Sequence, residues 1–528
     1  MKPPCDEAVI RSGDDGTPCA AKARAWILAA TIIGSSMAFI DGTVVNVALP
    51  ALQAAFHATV ANVQWVIESY GLILGALILV GGSLGDRFGR RLIFLIGVVI
   101  FASASACCGL ALSIHQLILA RSIQGVGAAL LVPGSLAIIS TSFDEKTRGR
   151  AIGTWSGFTA ITTAVGPVLG GWLIQHASWR WVFFINLPLA AAVILLSLWR
   201  IPESRSADAG RIDWLGASAV TLGLAGLVYG LIESPERGWG QPLVLAGLIV
   251  GCACLIVFLF VEANVKSPMV PLGLFASPAF SGTNLLTLFL YGAIGMFFFL
   301  FPLNLIQVQG YSATATGAAM LPLILLIFVL SRWSGGLVAS YGARLPLIIG
   351  PLVVALGFIL FAVPSTGGSY WKSYFLAVIV LGFGMAITVA PLTTVVMDSV
   401  GQDRVGTASG VNNAVARVAS VLAIAVLGIV MVKAFGSHLN RSLTRLSLPP
   451  GVLAALHSGE IRLAGLTVPA GLSPALKAAV TAMIAEAFVF AFRIVILICA
   501  ALSVASSAVA WLMIPNGASD RSPARSGQ

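Results

Sequence analysis

Three charged residues lie well inside long apolar stretches in the N-terminal half of this 528-residue chain: Asp41, Glu68 and Arg121. Such residues are costly at membrane depth, so each is a candidate for proton, ion or substrate handling. Asp41 lies in AFIDGTVVNVALP and could load a proton on one side and release it on the other. Burial disfavours the charged form of a carboxyl group, whereas a nearby arginine favours it, so the two effects can balance. The alternative is a structural Asp41, permanently paired with Arg121 or capping a helix break at Gly42.

Arg121 lies in LILARSIQGVGAALLVPGS, where its permanent charge requires a cavity or a partner. Gln124 shares its helix face, and Gly125 and Gly127 leave room for a neighbouring helix. We expect Arg121 to tune a carboxylate; a purely structural anchor is the alternative. Glu68, in WVIESYGLILG, is a candidate site for a substrate cation or a proton, against a water-exposed residue at a cavity mouth.

Two further stretches combine glycine with charge or proline. GGSLGDRFGRR concentrates scarce charge between two apolar runs, at Gly85, Asp86, Arg87, Gly89, Arg90 and Arg91. GTWSGFTAITTAVGPVLGGWL removes side chains from one helix face, mostly at four-residue intervals, and Pro167 favours a kink. Its glycines are Gly153, Gly157, Gly166, Gly170 and Gly171.

The elements that position these residues are membrane-spanning helices. The mean hydropathy is +0.97, only 9% of the residues are charged, and apolar runs near 20 residues recur along the chain. These features exclude a soluble globular protein and predict an all-α polytopic membrane protein. We expect fourteen spans, at about 26–49, 62–83, 92–112, 115–140, 151–174, 180–199, 213–232, 242–261, 279–303, 314–333, 345–363, 373–396, 405–433 and 488–513.

The basic residues predict the orientation and exclude nucleic acid as a partner. The net charge is +10, but the positive residues sit in short loops between spans. The side that holds both termini has 19 Lys and Arg, and the short loops of the other side have 3. By the positive-inside rule both termini are cytoplasmic, in a multi-pass protein of the cell (cytoplasmic or inner) membrane.

Internal echoes indicate a duplicated architecture. GSLGDRFGRR is echoed 253 residues later in SGGLVASYGAR, and DEKTRGRAIG is echoed in GQDRVGTASG, each at the same place in its half. Two six-helix halves and two inserted central spans account for fourteen, and internal repeats are typical of transporters. The expected parts are a cytoplasmic tail (1–25), the N-terminal half (26–200), the insert with flanking loops (201–278), spans nine to thirteen (279–433), an extracytoplasmic loop (434–487), the last span (488–513) and a second cytoplasmic tail (514–528).

The ordered motifs resemble the major facilitator superfamily. GSLGDRFGRR is similar to its loop signature, ARSIQGVGAA to its span-four motif, and GTWSGFTAITTAVGPVLGGW to its span-five antiporter motif. FIDGTVVNVALPAL, SWRWVFFINLP and the fourteen spans resemble its fourteen-helix drug:proton antiporter branch, over nearly all of residues 26–513. Thr162 stands where that branch usually has Gly, and Glu68 where an uncharged residue is expected.

The resemblance implies a role for the charged loop. In the family its aspartate, here Asp86, contacts a helix N-terminus of the other half, while the arginines bind nearby acids and the lipid surface. This latch holds the outward-open state. A helix N-terminus favours a carboxylate, so the contact is physically reasonable. A simple orientation signal is the alternative, and it accounts for the arginines but not for Asp86.

We therefore expect a proton-driven exporter of amphipathic, cationic drugs or toxic compounds that works by alternating access as a monomer. Its partners are a small-molecule substrate and the lipid bilayer, and the proton gradient is its energy source, without a cofactor. Export of a dedicated metabolite or lipid is the main alternative, and a non-transporting receptor or scaffold is a remote one. The five scattered histidines, and the lack of a nucleophile–base pair, metal cluster or phosphate-binding loop in the sequence, argue against an enzyme.

Overall fold

The computed structural model describes residues 21–143, 145–205, 213–265, 268–400, 405–444, 446, 448–466, 468 and 472–515. Within these residues fourteen helices are long and apolar enough to cross a membrane, which confirms the predicted number. The helices of the first eight spans are α1 (Ala21–Phe56), α2 (Val60–Phe88), α3 (Arg90–Leu110), α4 (Ile114–Ser142), α5 (Glu145–His176), α6 (Asn186–Arg200), α7 (Trp214–Arg237) and α8 (Pro242–Asn264). Those of the other six are α9 (Pro278–Leu303), α10 (Leu321–Tyr341), α11 (Arg344–Phe361), α12 (Phe375–Asp398), α13 (Val405–Leu443) and α14 (Pro474–Met513). The sixth span also includes the residues before α6, as Trp181–Arg200, and the tenth comprises Ala313–Leu330.

Local sequence explains where several helices begin and end. Thr59 and Asn62 form a reciprocal capping box at the start of α2, and Ser113 caps α4. Gly89 and Gly342 end α2 and α10 with φ of 122° and 72°, a region that favours glycine. These two glycines occupy equivalent positions in the two sequence echoes, so the echo reflects a shared turn.

The predicted extracytoplasmic loop 434–487, for which the sequence suggests short helices near 450–465 and 473–486, is largely helical. α13 continues to Leu443, and α14 already begins at Pro474. Between them lie a short helix, Pro450–Ser458, and a 3₁₀ helix, Glu460–Gly465. The Leu- and Ala-rich flanks continue the membrane helices because nothing in them breaks a helix, whereas Pro449 and Pro450 start a new one.

Two six-helix halves share one packing pattern. In the first half α1 packs on α5 and α6, α2 on α4, and α3 on α4 and α6. In the second half α9 packs on α13 and α14, α10 on α12, and α11 on α12 and α14. Each pair in one half has its counterpart eight helices later. The fold is therefore a duplicated bundle, as the sequence echoes predict.

The halves meet along two lateral seams. In the first, α5 packs against α10 and a short helix that precedes it, Ala313–Ala319; in the second, α2 packs against α13. The inserted helices α7 and α8 pack together, and α7 also contacts α2 and α13. The insert thus lies against the α2–α13 seam. α8 carries exposed apolar side chains such as Ile249 and Phe260, as expected for a helix that faces lipid.

Candidate functional site

A buried polar cluster forms inside the N-terminal half around Asp41. α1 contributes Asp41, α4 contributes Arg121 and Gln124, and α6 contributes Asn186. All four residues are at most 1% exposed. The predicted pairing of Asp41 with Arg121 is present as an ion pair.

The donors around Asp41 come from three side chains. Arg121 binds Oδ2 through Nη1, while Oδ1 accepts from Gln124 Nε2 at 2.8 Å and from Asn186 Nδ2 at 3.3 Å. Arg121 also donates to Gln124 Oε1 at 2.8 Å and to the carbonyl of Val66 at 3.1 Å. Buried charges are tolerated when they are paired and hydrogen-bonded in this way. The opposite charges of Asp41 and Arg121 thus compensate each other inside the N-terminal half.

Further contacts tie this cluster to α2 and α3. The Arg121 guanidinium lies 4.2 Å from the centroid of the Tyr70 ring, and the Tyr70 hydroxyl donates to the carbonyl of Ala38 at 3.3 Å. Asn186 also donates to Ser105 Oγ at 2.9 Å. A change at Asp41 can therefore affect contacts made by five helices of the N-terminal half, α1, α2, α3, α4 and α6. The sequence did not predict Asn186, Ser105 or Tyr70, because an embedded charge stands out in an apolar run whereas amides and hydroxyls do not.

The predicted glycines of α4 permit the close approach that builds this cluster. A Cβ atom at Gly125 would lie 2.8 Å from the carbonyl oxygen of Tyr70 in α2. At Gly127 it would lie 2.8 Å from the carbonyl oxygen of Gly97 in α3. Both distances are shorter than a side chain tolerates. α4 thus fits between α2 and α3 only with glycine at these positions.

The glycines of α5 contact α1 and the other half. A Cβ atom at Gly166 would meet Thr43, and one at Gly170 would meet Val44, so both pack tightly on α1. A Cβ atom at Gly171 would overlap the carbonyl of Ala313, across the α5–α10 seam. Pro167 lies against Gly317 of the same short helix. Gly157 has a normal contact with Phe328, and the surroundings of Gly153 lie outside the described side chains.

Hydrogen bonds join the halves at one end of the bundle, opposite the end at which α1 begins and α14 finishes. We call these the opposite end and the termini end. Gln53 accepts from Gln307 at 2.7 Å and donates to the carbonyl of Arg462 at 3.0 Å. Thr314 donates to Gln175 at 2.8 Å in the α5–α10 seam. These uncharged residues were also not predicted, since only tertiary structure brings them together.

Glu68 does not join the Asp41 cluster. It lies on the face of α2 that packs in the α2–α13 seam. Gln64, one turn earlier, donates to the carbonyl of Ile424, and Leu72, one turn later, belongs to an apolar cluster with α7 and α13. Tyr70 and Leu74, by contrast, pack inside the N-terminal half.

The charged loop at the termini end is organised by Glu203, which the sequence analysis missed. Its carboxylate accepts from the backbone N–H groups of Arg91 and Leu92 at 3.0 and 3.1 Å, at the start of α3. A Cβ atom at Gly89 would lie 2.7 Å from this carboxyl group.

The remaining residues of the loop have local contacts. Asp86 pairs with Arg90 at 2.7 Å within the loop, Arg87 lies over the ring of Phe88, and Gly85 accepts the N–H of Gly89. The segment that precedes α13, 401–404, lies outside the described residues, so a contact of Asp86 with it is not described.

The comparison with known families decides the identity of the fold. A model of the Major Facilitator Superfamily matches residues 31–424. The chain belongs to the Major Facilitator Superfamily. This facilitator is also similar in fold to a bacterial homologue of the human lysosomal transporter Spinster, solved in an inward-facing and unoccupied conformation. The TM-score is 0.65 at 20% identity, and the match covers 93% of this chain and 98% of that chain.

Several similar proteins are named as resistance or export proteins. The multidrug resistance protein Stp of Mycobacterium tuberculosis (strain CDC 1551 / Oshkosh) is 37% identical over 79% of this chain and 78% of that protein. The tetracenomycin C resistance and export protein of Streptomyces glaucescens is 32% identical over 97% of this chain and 96% of that protein. This facilitator is accordingly a membrane transporter and not an enzyme.

Proposed function

We propose that this transporter exports amphipathic drugs or toxic compounds in exchange for protons, by alternating access across the cell membrane. The observation that carries the proposal is the buried Asp41, held by Arg121, Gln124 and Asn186. A carboxylate at this depth is costly and typical of proton pathways. The names of the multidrug resistance and tetracenomycin export proteins support drugs as the substrate class.

Asp41 would carry the proton, and Arg121 would respond to it. Protonation removes the negative charge and leaves the guanidinium of Arg121 unpaired in a buried site, which is strongly unfavourable. Arg121 keeps the ring of Tyr70 and the carbonyl of Val66 as neighbours on α2. A proton on Asp41 therefore changes the forces between α1, α4 and α2.

The α5 glycines offer a route from this site to the gate between the halves. Asp41 lies one turn or less from Ile40, Thr43 and Val44, the α1 residues against which Gly166 and Gly170 pack. One residue later Gly171 packs on Ala313 of the other half. A small shift of α1 is thus transmitted through contacts that leave no spare volume.

The hydrogen bonds between the two halves indicate which side of the transporter is closed. The hydrogen bonds of Gln53 and Gln175 to the other half lie at the opposite end of the bundle. The excess of Lys and Arg on the side of the termini supports a cytoplasmic termini end. On that orientation, the hydrogen bonds hold the extracytoplasmic side shut.

A dedicated exporter of one natural product is the second candidate. The tetracenomycin C resistance and export protein matches 97% of this chain, more than the multidrug relative does. Such an exporter can use the same proton chemistry. Substrate breadth, and not the Asp41 cluster, distinguishes the two candidates.

Transport in everted vesicles tests the proposal. Vesicles are acidified, a panel of lipophilic cations, anions and neutral compounds is added, and proton release is measured. We expect release with wild type and with Asp398→Asn, an exposed carboxylate outside the cluster, and none with Asp41→Asn. Response to several unrelated compounds supports the multidrug function, and response to one class supports a dedicated exporter. Undiminished release by Asp41→Asn would overturn the proposed coupling.

A further inference from the structure

Glu68 is an acid whose charge nothing nearby balances. Its side chain is 0% exposed, and among the described residues neither carboxylate oxygen has a hydrogen-bond partner. The other embedded acid of the N-terminal half, Asp41, accepts from three side chains. Burial of an ionised carboxylate without partners is strongly unfavourable, so Glu68 needs a bound cation or a proton in this conformation.

The surroundings of Glu68 are the helices of the α2–α13 seam and the insert. On α2, Gln64 and Gly71 flank it by one turn on either side; Gln64 reaches Ile424, and a Cβ atom at Gly71 would lie 3.3 Å from Val421. Trp65, also one turn away, donates to Glu233 of α7 at 3.0 Å. Helical spacing therefore places Glu68 between α13 and α7.

The cationic and titratable side chains on the elements packed against α2 include two arginines in ion pairs and one that lies two turns away. Arg121 is paired with Asp41, and Arg237 with Glu233 at 2.6 Å. Arg417 lies against Gly75, two turns from Glu68. The other described side chains of this kind on these elements are Arg24, Arg90, Arg91, Cys107, Cys108, His115, Tyr229, Glu236, Lys433, His438, Arg441, Glu460 and Arg462. Among the ion pairs of the described residues, none includes Glu68.

A metal cation is a poor fit for this position. Hard cations require several oxygen ligands. The cluster that surrounds this stretch of α2 is apolar and contains Leu72, Ala76, Leu224, Val228 and Val421. A proton requires only the carboxylate itself.

A narrow crevice lies near the opposite end, one helical turn from Glu68 at its nearest lining residue on α2. Its volume is about 10 Å³, the space of about one water molecule. It lies between α2, α7 and α13, and its lining includes Gln64, Glu236 and Gly428. Gln64, in this lining, is one turn from Glu68, so the crevice ends about one helical turn from the buried carboxyl group.

We infer that Glu68 is a proton-binding site, and that its protonation is required for the α2–α13 seam to close beneath α7. The use of extracytoplasmic protons rests on the proposed proton-coupled export, whereas the site itself does not. When the seam opens, Glu68 meets water and can ionise. When the seam closes, the carboxyl group must hold its proton. This is a second proton site, separate from Asp41, and it gives the inserted α7 the role of a cover.

The sign of the pH effect follows from linkage. The closed seam binds the proton and the open seam releases it, so acid favours closure. For one proton, the closing equilibrium changes by at most about tenfold per pH unit. Glu68→Gln and Glu68→Leu are neutral at every pH and should leave the seam closed throughout.

Infrared difference spectroscopy of the full-length protein in bilayers tests the site directly. Wild type should show the C=O stretch of a buried protonated carboxyl group, lost in Glu68→Gln. Glu233→Gln, a carboxylate of the same seam that is already bonded to Trp65 and Arg237, is the matched control and should keep the band. The same band in Glu68→Gln would overturn the inference.

Cross-linking tests the closure. The pair Gly71→Cys and Val421→Cys, in a background without the native cysteines, should cross-link faster in acid, by up to about tenfold per pH unit. Adding Glu68→Gln or Glu68→Leu should remove this pH dependence; an unchanged dependence in both would contradict the inference. Asp41→Asn should retain the band and the dependence while losing antiport, so a failure of Asp41 coupling is distinguishable from a failure of Glu68.

Discussion

The side-chain amide of Asn186 bridges Asp41 and Ser105, at 3.3 and 2.9 Å. Ser105 in turn donates to the carbonyl of Phe183, in the one-turn helix Trp181–Phe184 that precedes α6. The carboxylate is thereby linked to α3 and α6 as well as to Arg121. This bridge makes Asp41 part of a network that spans the N-terminal half.

Replacement of the bridge should weaken the network. Asn186→Ala leaves Ser105 and one oxygen of Asp41 short of a donor, and hydrogen bonds to charged groups contribute about 1.5–3 kcal/mol. We expect a lower melting temperature of the purified protein and reduced drug export. Ser197→Ala, at another buried position of α6, is the control. Equal melting temperatures of Asn186→Ala and wild type would count against the network.

Variants of the Asp41–Arg121 pair distinguish its contribution to protein stability from its contribution to proton coupling. Asp41→Asn leaves the buried guanidinium without its charge partner, and loss of one member of a buried pair costs about 3–5 kcal/mol. The double variant Asp41→Asn with Arg121→Gln removes both charges and should recover much of that stability. Proton-driven export should be lost in both. Thermal unfolding and vesicle transport are compared; export by the double variant would exclude Asp41 as the coupling site.

Gly171 provides a test of the gate. Gly171→Ala places a methyl group against the carbonyl of Ala313, and overpacking costs about 1–3 kcal/mol. The closing equilibrium should therefore shift toward the open state by about fivefold or more, with slower export. Gly157→Ala, where the added atom has 3.6 Å to Phe328, should behave like wild type. Accessibility of Thr314→Cys to a membrane-impermeant reagent reports opening, and because this change itself removes the bond to Gln175, it is compared with and without Gly171→Ala in the same background.

Glu203 and Asp86 should have different effects. Glu203→Ala removes the acceptor at the start of α3, a loss of about 1–2 kcal/mol, and should lower the melting temperature. Asp86 is 43% exposed and pairs with Arg90, so Asp86→Asn should change stability by less than about 1 kcal/mol. If Asp86 is a latch in the outward-open state, Asp86→Asn should slow transport without destabilising the protein. Transport and stability that fall together would favour a structural role.

Much of the fold could be predicted because hydropathy and repeats report it directly. A run near 20 apolar residues must span a membrane, and a repeated turn such as that at Gly89 and Gly342 occurs at equivalent places of equivalent halves. The ends of the helices could be predicted less well from the sequence. α13 and α14 run past the apolar region because helix-forming residues continue there, and hydropathy does not measure that continuation.

Only the charged residues of the buried polar cluster around Asp41 could be predicted from the sequence. Asp41 and Arg121 stood out, but which neighbours complete their hydrogen bonds depends on how α4 and α6 pack. Asn186 lies in the quoted stretch SWRWVFFINLP, where an amide inside a span was the available signal. The seam position of Glu68 could not be inferred, because α2 is apolar on several sides and its pairing with α13 joins residues about 360 positions apart.

The lengths of α13 and α14 have a practical consequence. With 39 and 40 residues each is about 60 Å long, whereas the hydrocarbon core is about 30 Å thick. Both helices therefore project well past the lipid, together with the short helices between them. A small transporter in a detergent micelle is usually hard to orient in electron micrographs, since it offers no feature outside the micelle. This projection supplies such a feature, and an antibody fragment raised against the short helix Pro450–Ser458 would enlarge it without contacting Gln53, Gln307 or Arg462.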